Sequence, residues 1–113
     1  MINALTLSKN RASQLRLLLE SIKLNAEGFF NEIKIIYTSS DEDYAKGYEK
    51  LISENILDNI VWVKETDFVQ DFLDAFESCE TKYICGIVDD CVFHKRIPLD
   101  SEQVCRIMED PEI

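Results

Sequence analysis

The stretch Tyr83-Ile84-Cys85-Gly86-Ile87-Val88-Asp89-Asp90 is an apolar run that stops at two adjacent carboxylates. A continuous apolar run is typical of a strand that is buried on both faces of a sheet. An unpaired buried charge costs several kcal/mol, so such a strand does not tolerate two neighbouring acids. Asp89 and Asp90 therefore mark the point where a strand leaves the core for solvent or for a ligand.

Three other apolar runs end in polar clusters in the same way. They are Leu5–Leu7 before Ser8-Lys9-Asn10-Arg11, Ile33–Tyr37 before Thr38-Ser39-Ser40, and Ile60–Val63 before Lys64-Glu65-Thr66-Asp67. Strand and helix patterns alternate about every 25 to 30 residues, which is the spacing of βαβ units. We therefore expect parallel strands near residues 3–8, 33–38, 60–64 and 82–88, whose carboxyl ends meet at one edge of a sheet.

Amphipathic helix patterns separate the strands. The first helix runs from Ala12 to about Asn25, and the fourth begins near Asp100. Ser39 and Glu42 have the spacing of a capping box at the start of the second helix, and Asp67 can cap the third. The apolar faces predicted for these helices, in chain order, consist of Leu15, Leu18, Leu19 and Ile22; Tyr44, Tyr48, Leu51 and Ile52; Phe68, Phe72, Ala75 and Phe76; and Val104, Ile107 and Met108. Right-handed crossovers place helices on both faces. The expected fold class is α/β, a doubly wound, mainly parallel Rossmann-like sheet.

Length and composition restrict the classes of function. The chain has 113 residues, which corresponds to one domain, and a net charge of -10, which disfavours binding to nucleic acid or anionic lipid. No apolar run approaches the ~20 residues of a transmembrane helix, and the N-terminus begins on a strand pattern without a signal peptide. The four cysteines form no CxxC pair. We expect reduced thiols and a cytoplasmic protein.

Taken in order, these features resemble the nucleotide-binding half of GT-A-fold glycosyltransferases, in which a DXD motif closes the fourth strand. The resemblance covers about Leu5 to Phe93 and depends on Ser8-Lys9-Asn10-Arg11, Tyr37-Thr38-Ser39-Ser40 and Val88-Asp89-Asp90-Cys91. It implies that residues 1–113 are a single nucleotide-diphospho-sugar-binding domain that precedes an acceptor-binding half. The implied reaction transfers a sugar from a nucleotide diphosphate donor to an unknown acceptor, and the chain alone is expected to be inactive.

The resemblance also implies a set of site residues. The nucleotide sugar would contact Ser8, Lys9, Asn10, Arg11, Ser39, Ser40, Asp67 and Asp89. A divalent cation, Mn²⁺ or Mg²⁺, would neutralise the diphosphate and would be held by Asp89 and Asp90. The chain offers no catalytic base for an inverting transferase, and in the family that group lies in the C-terminal half.

One departure from the family motif affects the metal. DXD places its carboxylates on one side of an extended stretch through i, i+2 spacing, whereas Asp89 and Asp90 are adjacent. The residue two positions after Asp89 is Cys91, a poor ligand for Mg²⁺ or Mn²⁺. Two geometries stay open: the backbone turns sharply so that both carboxylates face the metal, or only one of them does.

Structural interpretations stand beside the functional ones. Asp89 and Asp90 can be a solvated loop start, Ser39 and Ser40 a helix cap, and the basic residues of the first cluster partners of nearby acids. The phenylalanine stripe of the third helix and Trp62 are expected in the core. The absence of GxGxxG disfavours a dinucleotide oxidoreductase. The remaining alternatives are a phospho-receiver domain, which has its acids after other strands, and a non-catalytic nucleotide-sugar or protein-interaction module.

Overall fold

The computed structural model describes residues 1–112 and contains four strands that alternate with four helices. In chain order the elements are β1 (Ile2–Lys9), α1 (Ala12–Asn25), β2 (Ile33–Thr38), α2 (Glu42–Ser53), β3 (Ile60–Lys64), α3 (Phe68–Glu77), β4 (Tyr83–Val88) and α4 (Ser101–Met108). All four predicted strands and all four predicted helices are present. Their bounds agree with the sequence patterns because each apolar run is interrupted by polar residues at its carboxyl end.

The four strands form one sheet in the order β3-β2-β1-β4, and every neighbouring pair is parallel. Ser8 lies opposite Tyr37, Leu7 opposite Val88, and Tyr37 also opposite Lys64, so the four carboxyl ends meet at one edge. This order is the first part of the Rossmann order 3-2-1-4-5-6. It differs from the 2-1-3-4-5 order of receiver domains, which removes the receiver alternative.

Helices cover both faces of the sheet, which confirms the doubly wound α/β prediction. The main core lies on one face, where α1, α2 and α4 pack on the strands. Its buried side chains include Leu15, Leu18, Leu19, Ile22, Ile33, Ile35, Tyr48 and Leu51, and Trp62 packs against them. A smaller cluster on the other face joins Leu5 and Ile36 to Ala75 of α3.

The predicted inward face of α3 is only partly buried. Ala75 is buried and Phe72 packs against the small cluster, but Phe68 is 47% exposed and Phe76 is 45% exposed. The prediction that the whole phenylalanine stripe is core is wrong, because within residues 1–112 α3 is the one helix on its face of the sheet. Both ends of its apolar stripe therefore face solvent.

Other apolar positions are exposed as well. Tyr44, Ile107 and Met108 lie on the predicted helix faces but beyond their contacts with the core. On β4, Gly86 and Val88 are exposed because they lie on the sheet face that α3 covers only in part. The expectation of a strand buried on both faces is therefore wrong for β4.

The helix caps agree with two of the predictions and correct one. The Asp67 carboxylate accepts a hydrogen bond from the backbone N–H of Gln70 at 3.2 Å, and Asp100 begins α4 with a full capping box. The predicted capping box of Ser39 and Glu42 is wrong. Asp41 caps α2 instead, because the helix begins later and places the Asp41 side chain 3.0 Å from the Tyr44 nitrogen. Across residues 1–112, no helix has the length and apolar character that a membrane span requires.

Candidate functional site

The carboxyl edge of the sheet holds a crevice at the point where the strand order reverses. From β1 the chain proceeds through β2 to β3 on one side of β1, whereas β4 lies on the other side of β1. Open α/β sheets bind ligands outside their carboxyl ends at such a switch point. The crevice has a volume of about 500 Å³ and is lined by Leu7, Ser8, Lys9, Arg11, Ile36, Thr38, Glu65, Phe68 and Asp89.

A tight turn after β4 brings the two adjacent carboxylates together. The Cys91 N–H donates to the Val88 carbonyl oxygen at 3.1 Å, which leaves Asp89 and Asp90 as the central residues of the turn. Both then reach one nitrogen of Arg11: Nη1 lies 3.4 Å from Asp89 Oδ1 and 3.7 Å from Asp90 Oδ2. Of the two geometries left open by the sequence, the structure has the sharp turn, with both acids on one side.

The two carboxylates differ in their surroundings. The Asp89 side chain is 6% exposed, whereas that of Asp90 is 57% exposed. A buried carboxylate requires a partner, because an uncompensated charge inside the protein is strongly destabilising. Arg11 provides that partner from a half-exposed position at the start of α1. Asp89 is thus the structurally constrained acid and Asp90 lies at the rim.

Asp89 and Asp90 are the two carboxylates that the resemblance assigns to a metal ion, and this assignment stays a prediction. Among residues 1–112 there is no group of three or more His, Cys, Asp or Glu side chains placed to hold a metal ion. Mg²⁺ requires near-octahedral oxygen coordination, and Mn²⁺ also prefers oxygen ligands. Asp89 and Asp90 already face the guanidinium of Arg11. We assign no step to a divalent cation.

Tyr48 connects the end of β1 to the start of α1. Its buried hydroxyl lies 2.6 Å from Ser8 Oγ and accepts a hydrogen bond from the Arg11 backbone N–H at 3.0 Å. Arg11 is the N-cap residue of α1, yet its own side chain makes no capping bond. The Tyr48 hydroxyl therefore satisfies a donor at the helix start, while the Arg11 side chain extends to the carboxylates.

A second link joins the loops that follow β1 and β2. Asn10 Nδ2 donates to Ser40 Oγ at 3.0 Å, and the Ser40 N–H donates to Asn10 Oδ1 at 2.9 Å. Asn10 has φ of 56°, a left-handed conformation that asparagine tolerates better than most residues. The two side chains bind each other and lie outside the crevice lining, so their role here is to hold the edge together.

The predicted site residues therefore separate into three groups. Ser8, Lys9, Arg11 and Asp89 line the crevice, and Asp90 reaches it through Arg11. Asn10 and Ser40 hold two loops together, and Asp67 caps α3. Ser39 is partly buried and is not part of the lining.

Sequence reasoning missed four contributors to this edge. Thr38 and Glu65 stand within the predicted polar clusters but were not singled out, and Phe68 was assigned to the core. The hydroxyl of Tyr48 was also missed. A tyrosine on an apolar stripe is itself a signal, since a buried hydroxyl needs a hydrogen-bond partner.

A larger hollow, of about 700 Å³, lies at the opposite edge of the sheet. It is formed by the end of α1 and by residues 96–100 before α4. None of the predicted site residues lines it, and it is remote from the carboxyl ends of the strands, where sheets of this type bind ligands. The smaller crevice is therefore the better candidate.

Comparison of the chain with protein-family models, with curated proteins and with solved structures found no match. Fold and crevice together define a Rossmann-like α/β protein with an all-parallel sheet and a polar crevice at its switch point.

Proposed function

We propose that this chain is the nucleotide-sugar-binding part of a glycosyltransferase that uses a nucleotide diphosphate donor. The observation that carries the proposal is the crevice at the β1/β4 switch point, which collects Ser8, Arg11 and Asp89 from separate segments. The resemblance to GT-A-fold enzymes supports the same assignment, because its nucleotide site occupies the corresponding edge.

The lining has groups suited to such a donor. The ionised Asp89 carboxylate has about four acceptor positions, and Arg11 occupies one of them. The carboxylate can therefore accept hydrogen bonds from ribose or sugar hydroxyls. Lys9 and Arg11 provide the positive charge that a diphosphate needs on a chain of net charge -10. Transfer itself also requires a positioned acceptor and, for inversion, a base. The residues of this crevice bind the donor, and the acceptor and stereochemistry belong to groups outside it.

Calorimetric titration with UDP, GDP, ADP and CDP tests the proposal, with and without Mn²⁺. We expect one diphosphate to bind weakly and Asp89→Asn to weaken this binding on the order of tenfold, since a hydrogen bond to a charged carboxylate is replaced by a weaker one to a neutral amide oxygen. Asp43→Asn is the matched control, because Asp43 is an exposed acid in the first turn of α2, outside the crevice lining.

Three results would contradict this proposal. Absence of binding to all four diphosphates by the folded chain would reject nucleotide recognition. Equal affinity of the Asp89→Asn and Asp43→Asn variants would reject this crevice as the site. The 113-residue chain alone should also show little or no sugar transfer, and robust turnover would contradict the assignment of the chain as a donor-binding part.

A non-catalytic nucleotide-sugar or protein-interaction module is the second candidate. The observation that favours it is an apolar groove of about 410 Å³ beside β4, on the sheet face that α3 covers incompletely. The groove is lined by Leu5, Leu7, Phe72, Phe76, Ile84, Gly86, Ile87 and Val88. Contiguous exposed apolar surface of this kind marks interaction sites. A folded chain that binds no nucleotide would favour this candidate.

A further inference from the structure

Phe68 places an aromatic ring in the wall of the polar crevice. The residue is the first of α3, is 47% exposed, and lines the same crevice as Ser8 and Asp89. Ligand pockets commonly combine an apolar or aromatic wall with a few polar groups that fix orientation. Phe68 is the one aromatic side chain among the crevice-lining residues within the described part of the chain.

The ring is held in place from behind. Phe68 stacks on Phe72, with ring centroids 5.8 Å apart and planes inclined by 22°, and Phe72 packs against the buried cluster beneath α3. The helix start is also fixed: Asp67 caps Gln70, and Asp71 accepts from the Thr66 and Asp67 N–H groups at 2.8 and 3.3 Å. The exposed part of the ring is therefore a pre-positioned surface, which lowers the entropic cost of binding a planar ligand.

The charges of the lining favour an uncharged ring at this position. Four charged side chains line the crevice, and the two basic ones, Lys9 and Arg11, balance the two acidic ones, Glu65 and Asp89. A multiply charged anion gains little from a balanced lining, whereas a neutral ring with N–H and O–H groups finds both acceptors and donors there. An aromatic face stacks on any nucleobase, because every base has a π-face.

We infer that Phe68 is the stacking surface for the nucleobase of the ligand, with the diphosphate at the rim of the crevice, where the exposed Lys9 and Arg11 lie. This inference rests on the proposed function and specifies which part of the donor the crevice holds. It also reverses the sequence-based interpretation of Phe68 as a core residue. The nucleoside, rather than the phosphates, should then depend on the aromatic ring.

The test compares Phe68→Ala and Phe68→Leu with Phe76→Ala. Phe76 is the matched control, since it is a half-exposed phenylalanine of the same helix that lines the separate apolar groove. Affinities for the preferred nucleoside diphosphate, its free nucleoside and inorganic pyrophosphate are measured by NMR titration, after thermal melts establish that each variant is folded. Base–aromatic stacking predicts roughly 5- to 150-fold weaker binding of the nucleoside and the diphosphate by Phe68→Ala.

The other measurements distinguish this inference from the proposed function. Phe68→Leu should show an intermediate loss, Phe76→Ala should bind as the unchanged chain does, and pyrophosphate binding should be the same in all of them. If nucleoside diphosphate binds but Phe68→Ala and Phe76→Ala behave alike, the stacking inference is overturned and the proposed function stands. A loss of pyrophosphate binding in Phe68→Ala equally overturns it. If the unchanged chain binds no nucleotide at all, both proposals fail.

Discussion

Replacing Tyr48 with phenylalanine removes one oxygen atom and, with it, the link between β1 and α1. The hydroxyl is bonded to Ser8 Oγ at 2.6 Å and to the Arg11 N–H at 3.0 Å, and the tyrosine is fully buried. Leaving the buried Ser8 hydroxyl unpaired costs about 1–3 kcal/mol. The Arg11 N–H is only partly buried, so water replaces some of its lost bond. We expect Tyr48→Phe to lower the free energy of unfolding by about 2 kcal/mol, or the melting temperature by roughly 8 °C for a chain of this size.

Thermal and urea unfolding followed by circular dichroism measure this change. Tyr44→Phe is the control, because Tyr44 belongs to the same helix but is 46% exposed, and it should alter stability by less than about 0.5 kcal/mol. Ser8→Ala should cost about 1 kcal/mol less in the Tyr48→Phe background than alone, since the shared bond is already lost. If Tyr48→Phe is as stable as Tyr44→Phe, the hydroxyl does not hold the edge and this reasoning is refuted.

Two further predictions concern the acidic turn and a thiol of β4. Arg11→Met should raise the affinity for Mn²⁺ about fivefold, because a half-exposed guanidinium no longer opposes the metal at the two carboxylates. The electron paramagnetic resonance signal of the free ion measures this affinity. An unchanged affinity would show that Arg11 does not compete with the metal for Asp89 and Asp90. Burial raises the pKa of the Cys85 thiol above its ordinary value of 9.0. Above about pH 9 the unfolded chain loses this proton while the folded chain still holds it. The contribution of this thiol to the free energy of unfolding therefore falls as the pH rises from about 9 towards the folded pKa. Iodoacetamide should modify Cys85 on the order of tenfold more slowly than the exposed Cys91, as followed by mass spectrometry, and equal rates would contradict the burial of Cys85.

The fold followed from the sequence because two independent signals agreed. Apolar runs gave the strands, and polar clusters such as Asp89-Asp90 gave their carboxyl ends. The buried stripe of α1 was also predictable, since this helix packs fully on the sheet. Periodicity shows which side chains share a helix face, but it does not show how much of that face another element covers. Phe68, Phe76 and Ile107 were therefore assigned to a core that does not extend to them.

The candidate site was predictable only as far as topology determines it. Parallel strands bring their carboxyl ends together, which was sufficient to place Ser8, Arg11 and Asp89 at one edge. The pairing of Asn10 with Ser40 depends on a left-handed residue and on loop geometry, and spacing along the chain contains neither. For the same reason the sequence does not show that Asp41, rather than Ser39, caps α2.

The adjacent carboxylates show how one turn changes the chemistry of a motif. In an extended stretch Asp89 and Asp90 would point to opposite sides, and only one would reach the crevice. The turn closed by Cys91 puts both carboxylates within reach of Arg11. The positive charge beside them is therefore the guanidinium of a residue that lies between β1 and α1. Because Arg11 is itself fixed by Tyr48, the charge at the mouth of the crevice depends on a buried hydroxyl of α2. A ligand that binds here meets a balanced set of charges on a strongly acidic protein. Its recognition must then come from hydrogen bonds and ring contacts at short range rather than from long-range attraction.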